Sequence, residues 1–168
     1  KARRLPFGRR SPVGNRIGMT RNGVATTSSF DDNDRLTSET TGGSTKTFAY
    51  DANGNLVKRT VGALFDAYTF DDQNRLIDAD VGTGVIPESA SYTYDPDGNR
   101  IGKTTGVTAT SYLVDDNQPL PQIVAASTEG ATTTYTHGHD LISQTQSGTG
   151  THFYVYDGQL STRQLTTA

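Results

Sequence analysis

Polar and apolar residues alternate along most of the chain in short runs that stop at an aspartate: "TFAYD" at 47–51, "YTFD" at 68–71, "SYTYD" at 91–95. A period of two predicts half-buried β-strands, and no segment keeps a helical period over three turns. Taking the residue before each aspartate as position zero, Phe30, Tyr50, Phe70, Tyr94 and Val114 follow one another at steps of 20, 20, 24 and 20. Twenty residues are too few for a βαβ crossover, which needs roughly 30. The chain therefore reads as tandem β-hairpins.

The columns of this register predict the turns. Asp31, Asp51, Asp71, Asp95 and Asp115 follow position zero. Three residues later stand Gly14, Asp34, Gly54, Asn74 and Gly98, the residue types that best tolerate a left-handed backbone, with Gly14 belonging to a unit in which Arg10 and Ser11 replace the aromatic and the aspartate. A second set of turns contains glycine ("TGG", "VG", "VGTG", "TTG") and leads from each unit to the next.

Phe48, Tyr68, Tyr92 and Tyr112 lie two residues before position zero, on the same strand face as Tyr50, Phe70 and Tyr94. With Tyr154 and Tyr156 they predict an aromatic ladder across one sheet face, with Thr and Ser on the other. A lone hairpin is marginal, so cohesion must come from neighbouring units, and an open sheet leaves an unpaired edge at each end.

Composition sharpens the picture. Leu, Ile, Val and Phe make up 32 of 168 residues, a low share, but 27 Thr and eight Tyr argue for ordered strands over disorder. Without cysteine there is neither a disulfide framework nor a thiolate metal site. No apolar run approaches a membrane span, which predicts a soluble chain. Five of the 15 basic residues lie in "KARRLPFGRR"; the remaining ten face 18 acidic residues, a balance of −8 that speaks against a nucleic-acid groove. Residues 1–12 read as a basic, divergent or disordered lead, 13–115 as regular repeats and 116–168 as degenerate repeats.

The tyrosine-aspartate units resemble the Rhs or YD-repeat family, and "SYLVDDNQPLPQIV" (111–124), "YTHGHDLISQTQSG" (135–148) and "FYVYDGQLSTRQLT" (153–166) are similar, in order and spacing, to the segments that precede the Rhs-repeat-associated core. The resemblance covers roughly residues 12–168 and implies an all-β fold: a continuous antiparallel sheet of hairpins spiralling into a hollow shell around a C-terminal toxic or effector domain. Relatives include polymorphic toxins, the cocoon of insecticidal toxin complexes and teneurins. It further implies a bacterial protein that is secreted or at the cell surface, with flanking repeats of the same or other chains and the enclosed domain as partners, and no cofactor. The chain departs from the family pattern at Asp157, Gly158, Gln159, Leu160 and Ser161, where a second glycine is lost, and at His137 and His139. The segment carrying the family's self-cleaving aspartates is not among these residues, so no catalytic residue is assigned.

The Asp columns with Arg35, Arg75 and Arg100 suit calcium loops or acid–base pairs on paper, but aspartate in a tight turn binds its own backbone and a nearby arginine can pair with it, so a structural role is expected. His137, His139 and Asp140 are a weak metal candidate, since three or four converging ligands are needed. No G-x-S-x-G elbow, P-loop or G-x-G-x-x-G occurs, which argues against an enzyme. The alternative function is a filament-forming or carbohydrate-binding surface module using open edges and aromatic rings.

Overall fold

In a computed structural model, residues 8–82 and 88–167 are described. They form sixteen strands without a helix: β1 (Gly8–Arg10), β2 (Arg16–Arg21), β3 (Val24–Phe30), β4 (Leu36–Thr41), β5 (Ser44–Tyr50), β6 (Leu56–Val61), β7 (Leu64–Phe70), β8 (Leu76–Val81), β9 (Glu88–Tyr94), β10 (Arg100–Thr105), β11 (Thr108–Asp115), β12 (Gln122–Thr128), β13 (Ala131–His137), β14 (Leu141–Gln146), β15 (Gly150–Tyr156) and β16 (Thr162–Thr167). The chain divides into two compact units, one ending at Ser89 and one beginning at Ala90. Within the first, β1 to β8 pair antiparallel in chain order, and within the second so do β9 to β16.

Two kinds of turn alternate. At one end of each unit the links between Arg21 and Val24, Thr41 and Ser44, Val61 and Leu64, Thr105 and Thr108, and Thr128 and Ala131 are two-residue hairpin loops. Asn22–Gly23, Gly42–Gly43 and Glu129–Gly130 take positive φ at both positions, the backbone that matches strand twist. At the other end lie the longer aspartate turns, each followed by a bulge: Ala49 pairs with Lys58 but Tyr50 with Leu56, leaving Val57 as the extra residue, and the shift recurs beside Phe30, Phe70 and Tyr156.

Strand pairing reaches into the basic lead, where Gly8–Arg10 forms β1, and Ser11 Oγ accepts the Asn15 N–H in place of the missing aspartate. The first seven residues of that lead lie outside the described residues, as does most of the "VGTG" turn. Residues 116–168 carry the same hairpin topology as the regular repeats, since the hydrogen-bonding frame tolerates varied side chains.

The aromatic residues share one face as the period predicts: in β5 and β9 alternate positions ending at Tyr50 and Tyr94 are half-buried and those between are exposed. Thr and Ser fill the exposed positions, but they also occupy the aromatic face, where Thr26 and Thr41, and Thr110 and Thr128, join hydroxyl to hydroxyl. Among the described residues Ala79 is the one buried apolar side chain, and no side chain is completely enclosed. Among the described residues each strand contacts only its neighbours in the sheet, so cohesion runs in the plane of the sheet through cross-strand pairs.

The most enclosed polar group follows from the same constraint. Arg59 in β6 lies opposite Asp66 in β7 and donates from both Nε and Nη2 to Asp66 Oδ2. Asp66 is 3% exposed, whereas 40% of the Arg59 side chain remains in solvent. Removing the arginine strands a buried carboxylate. Arg59→Leu should destabilise the fold by about 2 kcal/mol in urea unfolding, below the roughly 3–5 kcal/mol of fully enclosed pairs because Arg59 is partly hydrated. Arg59→Leu with Asp66→Leu should regain most of the loss; a double variant no better than the single would show that the pair is not the cause.

Candidate functional site

The repeated aspartate turn is the most elaborated feature of the chain. In the Asp31 turn the Asp34 N–H donates to the Asp31 carbonyl at 3.0 Å and the Asp31 N–H to the Arg35 carbonyl at 3.0 Å. Asp31 Oδ1 accepts the backbone N–H groups of Asn33 (3.0 Å) and Arg35 (2.9 Å), while Oδ2 takes Arg35 Nε at 2.7 Å. Asp71 repeats this with Gln73 and Arg75. In the Asp51 and Asp95 turns, Asn55 and Asn99 supply both the backbone and the side-chain donor. In these four turns both carboxylate oxygens thus accept hydrogen bonds from within the turn itself.

The third predicted pair is re-formed differently. Asp95 binds Asn99, and Arg100 places its guanidinium against the rings of Tyr92 (5.5 Å) and Tyr112 (5.8 Å). Asp115 also departs: its Oδ1 accepts Asn117 N and Nδ2, but the residue four places on is Pro119, which has no N–H to give.

Left-handed residues close these turns. Asp34 and Asn74 have φ of 61° and 60°, and Gly14, Gly54 and Gly98 have 98°, 90° and 92°. In the Asp157 turn, where the family pattern has glycine, Leu160 takes φ 60° and keeps the frame: its N–H reaches the Asp157 carbonyl at 3.0 Å. The turn forms without the glycine, with a leucine held where glycine, asparagine or aspartate is less strained. Arg163 closes it by donating to Asp157 Oδ2 at 2.7 Å.

Successive turns in the first unit are tied together. Asn15 Nδ2 donates to Asp34 Oδ1 at 2.6 Å, and Asn55 Nδ2 to Asn74 Oδ1 at 2.8 Å. Between them Arg35 Nη1 reaches the Asp51 carbonyl at 3.4 Å. An asparagine turn therefore reaches forward to a side chain, and an arginine turn to a backbone carbonyl. A two-repeat alternation results, which the columns Gly14, Asp34, Gly54, Asn74 already carried as a signal.

The ladder residues have individual contacts. Tyr50 Oη donates to the Leu36 carbonyl (2.9 Å) and Tyr156 Oη to the Leu141 carbonyl (2.6 Å), pinning position zero to the preceding hairpin. Tyr154 and Tyr156 stack with centroids 6.4 Å apart, and Tyr154 Oη donates to Gln144. Desolvation, then the neighbouring Tyr135 and Tyr156, raise the Tyr154 hydroxyl above its ordinary value and keep it a donor. Elsewhere a cation replaces the expected ring-on-ring packing: Arg35 lies 4.9 Å over Tyr50, and Arg100 faces Tyr92 and Tyr112. Phe48, Tyr68, Phe70 and Tyr94 sit half-buried on the same face.

His137, His139 and Asp140 all line a recess of about 560 Å³ in the second unit. His137 stands at position zero and its Nε2 bonds the Ile123 carbonyl at 2.9 Å, the bond that tyrosine makes in other repeats. His139 and Asp140 are exposed. Among the described residues no group of three His, Cys, Asp or Glu is arranged to hold a metal.

Comparison with known proteins accords with this geometry. Residues 30–63 match the family model of the RHS Repeat. No curated protein matches the chain. Among solved structures, TcdB2-TccC3-Cdc42 superposes with a TM-score of 0.75 at 16% identity, covering 95% of this chain and 10% of that one. The Tc holotoxin pore of Photorhabdus luminescens, carrying a TccC3 mutation, gives 0.61 at 15% identity, covering 94% and 11%. TcdB2-TccC3 gives 0.51 at 16% identity, covering 93% and 12%. The chain thus spans about a tenth of the length of these neighbours and shares their fold.

Two predictions follow from the turn geometry. Gly54→Val and Gly98→Val should each destabilise by about 1–3 kcal/mol, because valine at such φ is strained, whereas Leu160→Gly should raise the melting temperature. Glycine substitutions without effect would refute the turn assignment.

The second concerns acid. Asp31 and Asp71 lie below the ordinary carboxylate value of 3.8, chiefly through the backbone N–H groups of Arg35 and Arg75, and Asp51 and Asp95 chiefly through the side-chain amides of Asn55 and Asn99. A carboxyl held low in the folded state contributes stability that is present well above 3.8 and is lost as pH falls through the lowered value. Melting temperature should therefore drop steeply below that point, and Asp51→Asn with Asp95→Asn should flatten the acid limb; parallel curves for the parent and the variant would contradict the assignment.

Proposed function

We propose that this chain is a panel of the wall of a larger, exported bacterial protein, a β-shell that isolates a C-terminal effector domain from its surroundings. The observation that carries the reading is the aspartate turn. Its polar groups are spent on holding hairpins together, and the same chemistry recurs at Asp31, Asp51, Asp71, Asp95 and Asp157. A catalytic constellation is needed once, whereas a wall needs many equivalent turns. The RHS Repeat match and the fold shared with Tc toxin components support this reading, and the tenfold greater length of those chains supports placing these residues within a longer polypeptide.

In such a wall the sheet separates two spaces and the turns set its margins. Flanking repeats would continue the hydrogen bonding at either end, and the effector would be held by exclusion more than by specific contact. No residue of this chain then needs to take part in a reaction.

The test begins with the native polypeptide from its source. Its intact mass should be several times the 18.0 kDa of this chain, and limited proteolysis should leave a downstream domain uncut until residues 13–115 are deleted. A native chain near 18.0 kDa whose light scattering grows with concentration would overturn the reading in favour of self-assembly.

A further inference from the structure

The recess beside His137 differs from the rest of the aromatic face in what fills it. Elsewhere the chain seats its own cations on rings, in one case beside a carboxylate. Arg35 lies 4.9 Å over the Tyr50 ring while its Nε holds Asp31 Oδ2 at 2.7 Å. Arg100 faces Tyr92 and Tyr112 at 5.5 and 5.8 Å. A guanidinium stacked on an aromatic ring with a carboxylate at its edge is a favourable arrangement, worth more where water is partly displaced.

Further along the second unit a recess brings rings and a carboxylate together with no cation in its lining, although Arg100 faces one of its rings, Tyr112, at 5.8 Å. Tyr112, Tyr135, Leu120, Ile123 and Leu141 give the recess apolar walls, and Asp140 and His139 line it with them. No lysine or arginine lines it. Pro119 occupies the place that Arg35 and Arg75 hold in their turns, so the local donor is lost there. His137 makes the backbone bond of the column's tyrosine with a smaller ring, which leaves space beside it. Among the described residues the Asp140 carboxylate has no hydrogen-bond or ion-pair partner; only its backbone carbonyl is used, by the Gly138 N–H at 2.8 Å.

We propose that this recess is a seat for an arginine or lysine side chain presented by another polypeptide segment. The methylene stem would lie against Tyr112, Tyr135 and Ile123 and the charged head at Asp140, as such side chains bury their stems and keep their heads polar. Charge favours it: the 18 acidic residues all lie beyond residue 10, against ten basic ones, a balance of −8 that attracts a basic segment. A recess of about 560 Å³ admits one such side chain with its neighbours. Mostly apolar walls with a single carboxylate suit a stem and a cation better than a sugar, which needs many polar partners. The inference does not depend on whether the chain belongs to a shell.

The experiment titrates the 168-residue chain with acetyl-Gly-Ser-Arg-Ser-Gly-amide and with the same peptide carrying Gln for Arg, following backbone amide resonances. Saturable shifts at Tyr112, Tyr135 and Asp140 are expected for the arginine peptide, with the glutamine peptide at least about tenfold weaker and added salt reducing the difference. Asp140→Asn should lose about tenfold in affinity with the remaining spectrum unchanged; should that variant unfold, Tyr135→Leu takes its place with the same expectation. Equal binding of both peptides, no shift at the recess, or unaltered affinity in the folded variants would overturn the proposal. So would recess shifts with chitotetraose but not with the arginine peptide, which would make the site a sugar site.

Discussion

A carboxylate that accepts the backbone N–H groups two and four residues ahead of it governs the architecture. Since each described strand contacts only its neighbours in the sheet, it must be aimed by its own turn, and the aspartate does this by fixing three backbone positions at once. The bulge that follows restores the alternation of faces, so that half-buried and exposed positions stay in phase from one hairpin to the next. Where the turn keeps its frame without its usual residues, at Ser11 and at Leu160, the strands keep their pairing.

This arrangement divides the polar chemistry into many small, satisfied groups. The Asp31 carboxylate is held by Arg35, the Tyr92 ring is faced by Arg100, Tyr50 is pinned through its hydroxyl, and among the described residues the buried carboxylate of Asp66 has its own arginine. The arrangement also makes the exceptions conspicuous: the Pro119 turn and the histidine at position 137 interrupt the pattern on the same face, next to one another in space.

Much of this was legible in the sequence. A period of twenty with aspartate after an aromatic identified the hairpins, their long turns and the face shared by the rings, because both the left-handed residue and the strand period leave marks in composition. The partners of side chains were harder to read. Asn99 outcompetes Arg100 for Asp95 because it sits inside the turn, while Arg100 begins the strand and finds two tyrosine rings there. The tyrosine bonds to Leu36 and Leu141 join residues 14 and 15 apart, a distance that no local pattern encodes. The Asp66–Arg59 pair depends on cross-strand register, which is set only once the two-residue turn at 62–63 is formed.

The alternation of asparagine and arginine turns bears on how such a chain can grow. Asn15 and Asn55 need an oxygen-bearing side chain in the following turn, and Asp34 and Asn74 supply it; Arg35 needs only a carbonyl, and a glycine turn follows it. Duplicating one hairpin would set two asparagine turns side by side, the first facing a glycine with nothing to accept its amide. Duplicating a pair would preserve every handshake. The structural module of these hairpins is therefore a doublet of about forty residues, and adding or removing repeats in doublets would keep each of these contacts.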